Sequence, residues 1–280
     1  QTFAHEPHLD PTGTSWLPLP FWLSGALMRL TSTSLLTARI IAFALGLLAT
    51  LLLYEAARLL FRSDPHPKRS ATGAAILASV FPWSARLGVA TVPELPTASL
   101  TVYAIATLTT PALTPRLLGA AALLVACLSR YEPWFVIAVF APLGLRDARQ
   151  DRPHLRPALL ATAGPAARLF HNALAHGDAL HFARRVSAYK QALGGDQGLL
   201  TALTGYPLSL FREEPELTLA ALLLLVALRA TRRPLPTSLP ISLARVTLAG
   251  ATLLAGLTLA ALPGGVPIHH AGRALLTLWL

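Results

Sequence analysis

The stretch from Leu35 to Leu60 limits the fold more than any other part of the chain. It exceeds the roughly 20 mainly apolar residues that cross a bilayer core as a helix, and Arg62, Lys68 and Arg69 close it. A soluble domain could bury one such helix, but it would still need a charged surface. Only 13% of the 280 residues are charged, about half the roughly 25% of an average soluble domain. The mean hydropathy is +0.54. Leu and Ala supply most of the apolar residues, and strand-type alternation is almost absent. The expected fold is all-α: a polytopic transmembrane helix bundle with interfacial helices on its outer face.

Further apolar runs follow. Ser70 to about Val89 is interrupted by Pro82, and Pro96 to about Thr110 comes next. Two shorter runs, Leu117–Leu128 and Trp134–Leu145, flank Ser129-Arg130-Tyr131-Glu132-Pro133. Residues 157–170 are weakly apolar, Leu217–Leu228 strongly so, and Ile241–Leu262 is the last complete span. Lys and Arg concentrate on the cytoplasmic side of membrane proteins. Placing loop 62–70 inside puts loops 111–116, 146–156 and 229–236 inside as well. Loops 84–95, 129–133, 171–198 and 263–272 then fall outside. Residues 1–34 become an outer loop whose Phe21–Leu30 lies along the interface, and Leu199–Phe211 does the same within the outer region 171–212. Residues 35–262 hold the membrane helices, and 273–280 begin another. The start at Gln1 without Met and the end inside an apolar run read as a single transmembrane domain truncated at both ends.

The net charge of +10 raises nucleic acid as a partner. The basic residues nevertheless fall in short clusters between apolar runs, so membrane lipids are the expected partner and nucleic acid is not. Cys127 is the sole cysteine and lies inside an apolar run, which leaves no disulfide framework and no cysteine metal motif. The chain also lacks a phosphate loop, HExxH, GxSxG and CxxC.

Ionisable residues point to chemistry at the outer side. His5, His8, His171, His176, His181, His269 and His270 fall there, with Glu6, Asp10, Glu94, Glu132 and Asp178. Polar groups at a membrane boundary are costly and tend to mark a site. His5-Glu6-Pro7-His8-Leu9-Asp10 offers acid–base groups or ligands for a divalent ion, or it is a solvated loop. Glu94, between Pro93 and Pro96, is either an ordinary helix start or a carboxylate facing a cleft. Arg130 and Glu132 either pair with each other, or Arg130 grips a lipid phosphate with its planar fork. His181, Arg184 and Arg185 share a helical face, which reads more readily as a solvated amphipathic helix than as a phosphate-binding one. His269, His270 and Arg273, just ahead of an apolar run, favour a binding role.

Several of these stretches together resemble the polytopic glycosyltransferases of the GT-C class, close to protein O-mannosyltransferases and the aminoarabinose transferases of lipid A. They are Thr14-Ser15-Trp16-Leu17-Pro18-Leu19-Pro20, the helix Leu48–Phe61, Pro93-Glu94, the helix Leu118–Pro133 closed by Arg-Tyr-Glu-Pro, and Asn172–Phe182. The resemblance implies that a sugar moves from a polyprenyl-phosphate donor to an acceptor hydroxyl of a protein, lipid or glycan. A carboxylate serves as base and cationic side chains steady the leaving phosphate. It also implies a multi-pass protein of the bacterial inner membrane, with its site on the extracytoplasmic side. A divalent ion assists in some such enzymes, and no other cofactor is expected. The family's catalytic carboxylate follows its first membrane helix, which would precede Gln1. The candidate site is therefore Asp10, Glu94 and Glu6 as catalytic carboxylates, with Arg130, Glu132, His269, His270 and Arg273 as phosphate or sugar ligands. A flippase or transporter of lipid-linked saccharides would instead show mid-membrane charge and pseudo-symmetric halves. A scaffold would show no outer clustering at all.

Overall fold

The computed structural model describes residues 17–192, 198–230, 239–262 and 271–280. Thirteen α-helices and one 3-10 turn build nearly all of it, and no strand occurs among the described residues. The all-α membrane-helix architecture expected from composition is the one observed.

Local chemistry sets most boundaries. α1 (Leu19–Leu30) starts with Pro20 in its first turn. α2 (Leu35–Leu60) starts where the Ser34 hydroxyl accepts the Thr37 N–H at 3.1 Å, an N-cap that satisfies one of the donors a helix start leaves open. α3 (Pro67–Val80) and α4 (Pro82–Gly88) are one apolar run broken at Phe81, because Pro82 offers no N–H and disfavours helical backbone just before it. α5 (Glu94–Thr107), α6 (Leu113–Ser129) and α7 (Pro133–Ala148) follow. A 3-10 turn (Arg152–His154) leads into α8 (Leu155–His176), which ends at Gly177 with φ of 66°. This left-handed cap is one that glycine adopts without penalty. α9 (His181–Ala192), α10 (Leu199–Arg212), α11 (Pro215–Ala230), α12 (Leu239–Ala261) and α13 (Ala271–Trp279) complete the series.

The packing is inverted relative to a soluble bundle. On α2, Leu36, Ile40, Phe43, Leu47 and Leu51 form one helical face, each more than half exposed. The opposite face buries the small residues Ala42, Gly46, Ala49 and Ala56 along with Leu53. Such faces bring membrane helices close, since lipid tails cover large apolar side chains as well as protein does. A Cβ at Gly46 would lie 2.5 Å from the Gly88 carbonyl oxygen, so α2 and α4 meet backbone to backbone. α3, α8 and α11 add Leu77, Leu174, Leu222 and Leu223 to the exposed apolar belt. In water an area of this kind would drive association.

Among the described residues, two helices, α2 and the Ala244–Ala261 part of α12, are long and apolar enough to cross a bilayer core. α5, α6 and α7 have 14, 17 and 16 residues, which makes them about 21–26 Å long. They pack around the main core, with Leu108, Leu123, Val136, Phe140, Leu253 and Leu275 at its centre. Being short, they bring the polar residues at their ends to the rims of the bundle.

The structure departs from the sequence reading in three places. The stretch 171–198 was expected to be a loop, but α8 carries helix to His176 and α9 covers His181–Ala192. α9 is rich in Ala, Arg and Gln, good helix formers without an apolar stripe, so periodicity does not reveal it. The weakly apolar residues 157–170 belong to the 22-residue α8, which continues through Pro165. The two short runs around Arg130 are full helices lengthened by polar ends.

Candidate functional site

α6 and α7 run in opposite directions, so Arg130 and Glu132 lie at one rim of the bundle and Arg116 and Asp147 at the other. Glu94 opens the first turn of α5 with its side chain fully buried. Arg130 follows the last residue of α6 with a side chain only 12% exposed. Its Nη1 donates to Glu94 Oε1 at 2.9 Å, and its Nε reaches both oxygens of Glu132 at 3.0 Å. Nη2 also bonds Glu132 Oε1. Arg130 thus bridges two carboxylates, with most of its donors already committed.

Arg273, in the first turn of α13, meets the same Glu94 oxygen at 3.6 Å, and its side chain is 34% exposed. That distance suits an ion pair and is too long for a hydrogen bond. Arg273 is accordingly the more accessible guanidinium of the two. Sequence-distant elements therefore converge here: the start of α5, the α6–α7 junction and the start of α13.

The same rim holds buried polar atoms without a hydrogen-bond partner: Glu94 Oε2, the Tyr206 hydroxyl and Glu213 Oε2. Tyr206 is a fully buried residue of α10, close enough to Glu132 and Arg130 to feel both charges. Glu213 follows α10, and a Cβ on Gly272 would overlap its Oε2 and the Trp83 ring. Burial raises the Glu213 carboxyl above its ordinary value, while the Gly272 N–H pulls it back. Glu214 is raised by burial, then by Glu216 and Glu213.

An apolar cavity of about 370 Å³ leads to this rim between α1, α2, α5 and α6. Met28, Leu45, Leu52 and Leu87 line it, and it reaches Pro93 and Ser129, the neighbours of Glu94 and Arg130. Leu23, Leu35 and Leu48 stand exposed at its edge. On the other flank Tyr131 stacks on Phe182 of α9 at 4.6 Å, and Trp134 meets both rings edge-on. His176 stacks on His181 at 4.0 Å, with His171 beside His176. Among the described residues, no three His, Cys, Asp or Glu side chains are placed to hold a metal ion.

The opposite rim is built differently. Arg116, 1% exposed, meets Asp147 Oδ2 at 2.5 Å and donates from Nε to the Thr110 carbonyl at 2.9 Å. Arg245 donates to the Leu108 carbonyl and pairs with Asp147 at 3.4 Å. Arg62 donates to the Thr109 carbonyl, and His154 Nε2 contacts the Pro111 carbonyl at 2.8 Å. Four cationic or imidazole side chains thus cap the carbonyls that α5 and the turn after it leave open.

Of the sequence candidates, Glu94, Arg130, Glu132 and Arg273 come together at one rim. Glu6, Asp10, His269 and His270 lie outside the described residues. His171, His176 and His181 cluster at the α8–α9 turn. Sequence reasoning missed Tyr206 and Glu213, which sit within and just after a segment read only as interfacial, and Arg245 with Asp147, hidden near span ends. A buried Tyr carries no signal in the sequence until its neighbours are known.

Residues 11–162, just over half of the chain, match the family described as dolichyl-phosphate-mannose-protein mannosyltransferase. Among curated proteins and solved structures, none matches the chain. The chain belongs to that mannosyltransferase family and is a membrane glycosyltransferase. The matched region contains Glu94, Arg130 and Glu132, and Tyr206, Glu213 and Arg273 lie beyond it.

Proposed function

We propose that this family member moves a sugar from a polyprenyl-phosphate carrier to an acceptor hydroxyl, at the extracytoplasmic face of a multi-pass protein of the bacterial inner membrane. The observation that carries the reading is that the apolar cavity ends at Pro93 and Ser129, each one residue along the chain from the paired Glu94 and Arg130. A lipid phosphate needs both an apolar seat and a cation. The isoprenoid chain would lie between α1 and α2. The phosphate would come to Arg273, whose guanidinium is the more exposed one, rather than to Arg130, which Glu94 and Glu132 occupy.

In this reading the acceptor oxygen attacks the anomeric carbon and the bond from that carbon to the carrier phosphate oxygen breaks. The phosphate leaves with the electron pair, and the acceptor's proton goes to a carboxylate. Asp10, with Glu6 as second choice, is the proposed base. Glu94 serves at the site as the carboxylate that Arg130 and Arg273 orient, and Arg130 and Glu132 fix its geometry. His269 and His270, two positions ahead of α13, are proposed ligands beside Arg273. The leaving charge falls to guanidinium groups, which act most strongly where water is excluded.

The test uses proteoliposomes holding the full chain, a membrane extract as acceptor and polyprenyl phosphate carrying a radiolabelled sugar. Label should leave the carrier only when the chain is present, and bare polyprenyl phosphate should compete. Label that crosses the bilayer still attached to its carrier would instead establish transport. No movement of label, together with no binding of polyprenyl phosphate, would sink both.

A further inference from the structure

We infer that Arg146, Arg149, Arg152 and Arg156, exposed on the Asp147 rim, form a docking site for an anionic phospholipid whose headgroup carries two phosphates, as that of cardiolipin does. The inference is independent of the transferase reading and concerns the opposite end of the bundle from Glu94.

The four arginines form two pairs. Each pair is spaced by about one helical turn, so that its two side chains are neighbours. Arg146 and Arg149 close α7, while Arg152 in the 3-10 turn and Arg156 in the first turn of α8 make the second pair. The helices that carry them adjoin, since a Cβ on Gly144 would come within 3.0 Å of the Ala158 Cβ. Hydrogen bonds fix the turn between them. The Asp151 N–H donates to the Asp147 carbonyl and the His154 N–H to the Asp151 carbonyl, each at 3.0 Å. The buried His154 contacts the Pro111 carbonyl through Nε2 and meets Asp151 Oδ2 at 3.1 Å through Nδ1. The arginines therefore project from a preorganised frame.

None of the four guanidiniums meets a carboxylate or carbonyl among the described residues. The carboxylates within the segment are already engaged, Asp147 by Arg116 and Arg245, and Asp151 by His154. Exposed cations elsewhere do find a partner, Arg58 at Glu55 and Arg184 at Asp178. Charge concentrated on one face is enough to orient a membrane protein, but orientation asks for neither pairing nor a fixed frame. A guanidinium holds phosphate through two parallel N–H groups, and the two pairs offer two such grips side by side. A lipid with one phosphate fills one pair and leaves the like charges of the other unopposed. The partner is a lipid rather than a soluble polyanion because Leu145, Leu155 and Leu159 stand exposed among the arginines. Apolar side chains beside basic ones suit the depth where hydrocarbon gives way to headgroups, and basic surfaces between membrane helices take cardiolipin in this way.

The experiment titrates the full chain in detergent with cardiolipin, phosphatidylglycerol or phosphatidylcholine and counts bound lipid by native mass spectrometry. The wild type should hold one cardiolipin about tenfold more tightly than phosphatidylglycerol, the effect of a second charge-assisted contact. Phosphatidylcholine should not displace it. Arg146→Gln/Arg149→Gln and Arg152→Gln/Arg156→Gln should each abolish the preference, because one remaining pair grips one phosphate. Both variants should keep the wild-type unfolding midpoint without added lipid and lose its rise with cardiolipin. The control Lys68→Gln/Arg69→Gln, which removes two exposed cations at the start of α3, should retain the preference. Cardiolipin held no tighter than phosphatidylglycerol, or displaced by phosphatidylcholine, overturns the site. So does a preference that survives in either arginine variant. A preference lost equally in the control would mean diffuse attraction to charge, and the site falls with it.

Discussion

The two rims of the bundle are both made of arginine and carboxylate, yet they do different work. At the Asp147 rim, Arg62, Arg116 and Arg245 each find a backbone carbonyl at the end of α5 or in the turn after it, and Asp147 takes two of them. At the Glu94 rim the guanidinium of Arg130 is spent on two carboxylates, and acceptor atoms of Glu94, Tyr206 and Glu213 remain without partners. Buried charge alone does not mark a site, since a well-satisfied cluster is a structural clasp. Leftover buried acceptors are what set the second rim apart.

The sharpest way to break this comparison is to exchange the consequences. Arg116→Ala strips Asp147, whose side chain is 21% exposed, of its closest cation and frees the Thr110 carbonyl. Only the arginine side of the pair is buried, so the cost sits at the low end for such pairs, about 3 kcal/mol. The unfolding midpoint in detergent should drop steeply, while sugar transfer per folded molecule stays near wild type. If transfer is lost with no change in stability, the Asp147 rim is itself functional. Next in size is Arg273→Ala, which touches a guanidinium one-third exposed. Transfer should fall about 10²–10³-fold, as when one preorganised charge-stabilising group is removed, with little change in midpoint. A large loss of stability and no kinetic effect beyond it would make Arg273 a second clasp.

The smallest effect follows pH. Glu213 and Glu214 lie between α10 and α11, and burial raises both carboxyls above the ordinary 4.5. The folded state then holds their protons more tightly than the unfolded state. The stability they confer is full below that ordinary value and is lost as pH rises through their folded values. Scans of the unfolding midpoint from pH 4 to pH 7 should show a decline that Glu213→Gln reduces. An unchanged slope in the variant would remove Glu213 from the account.

Much of the fold could be read from the chain because lipid writes a simple code. Leu35–Leu60 coincides with α2, and Pro82 breaks α3 from α4 as its missing N–H requires. Of the polar helix α9 only the shared face of His181, Arg184 and Arg185 could be read, and not its bounds, since Ala, Arg and Gln leave no apolar stripe to count. Four members of the described cluster, Glu94, Arg130, Glu132 and Arg273, were legible as charged residues at the ends of apolar runs. Tyr206 was not, because its importance comes from a hydroxyl left unpaired, and a hydroxyl's partners depend on three-dimensional neighbours. The pairing of Arg245 with Asp147 was hidden for the same reason, 98 residues separating them.

The edge of the cavity, where Leu23, Leu35 and Leu48 stand exposed, gives it a side entrance facing the hydrocarbon. A ligand using that door arrives by diffusion in two dimensions within one leaflet. Its encounter rate then scales with its mole fraction among the lipids, and adding inert phospholipid should slow turnover even at constant bulk amounts of enzyme and donor.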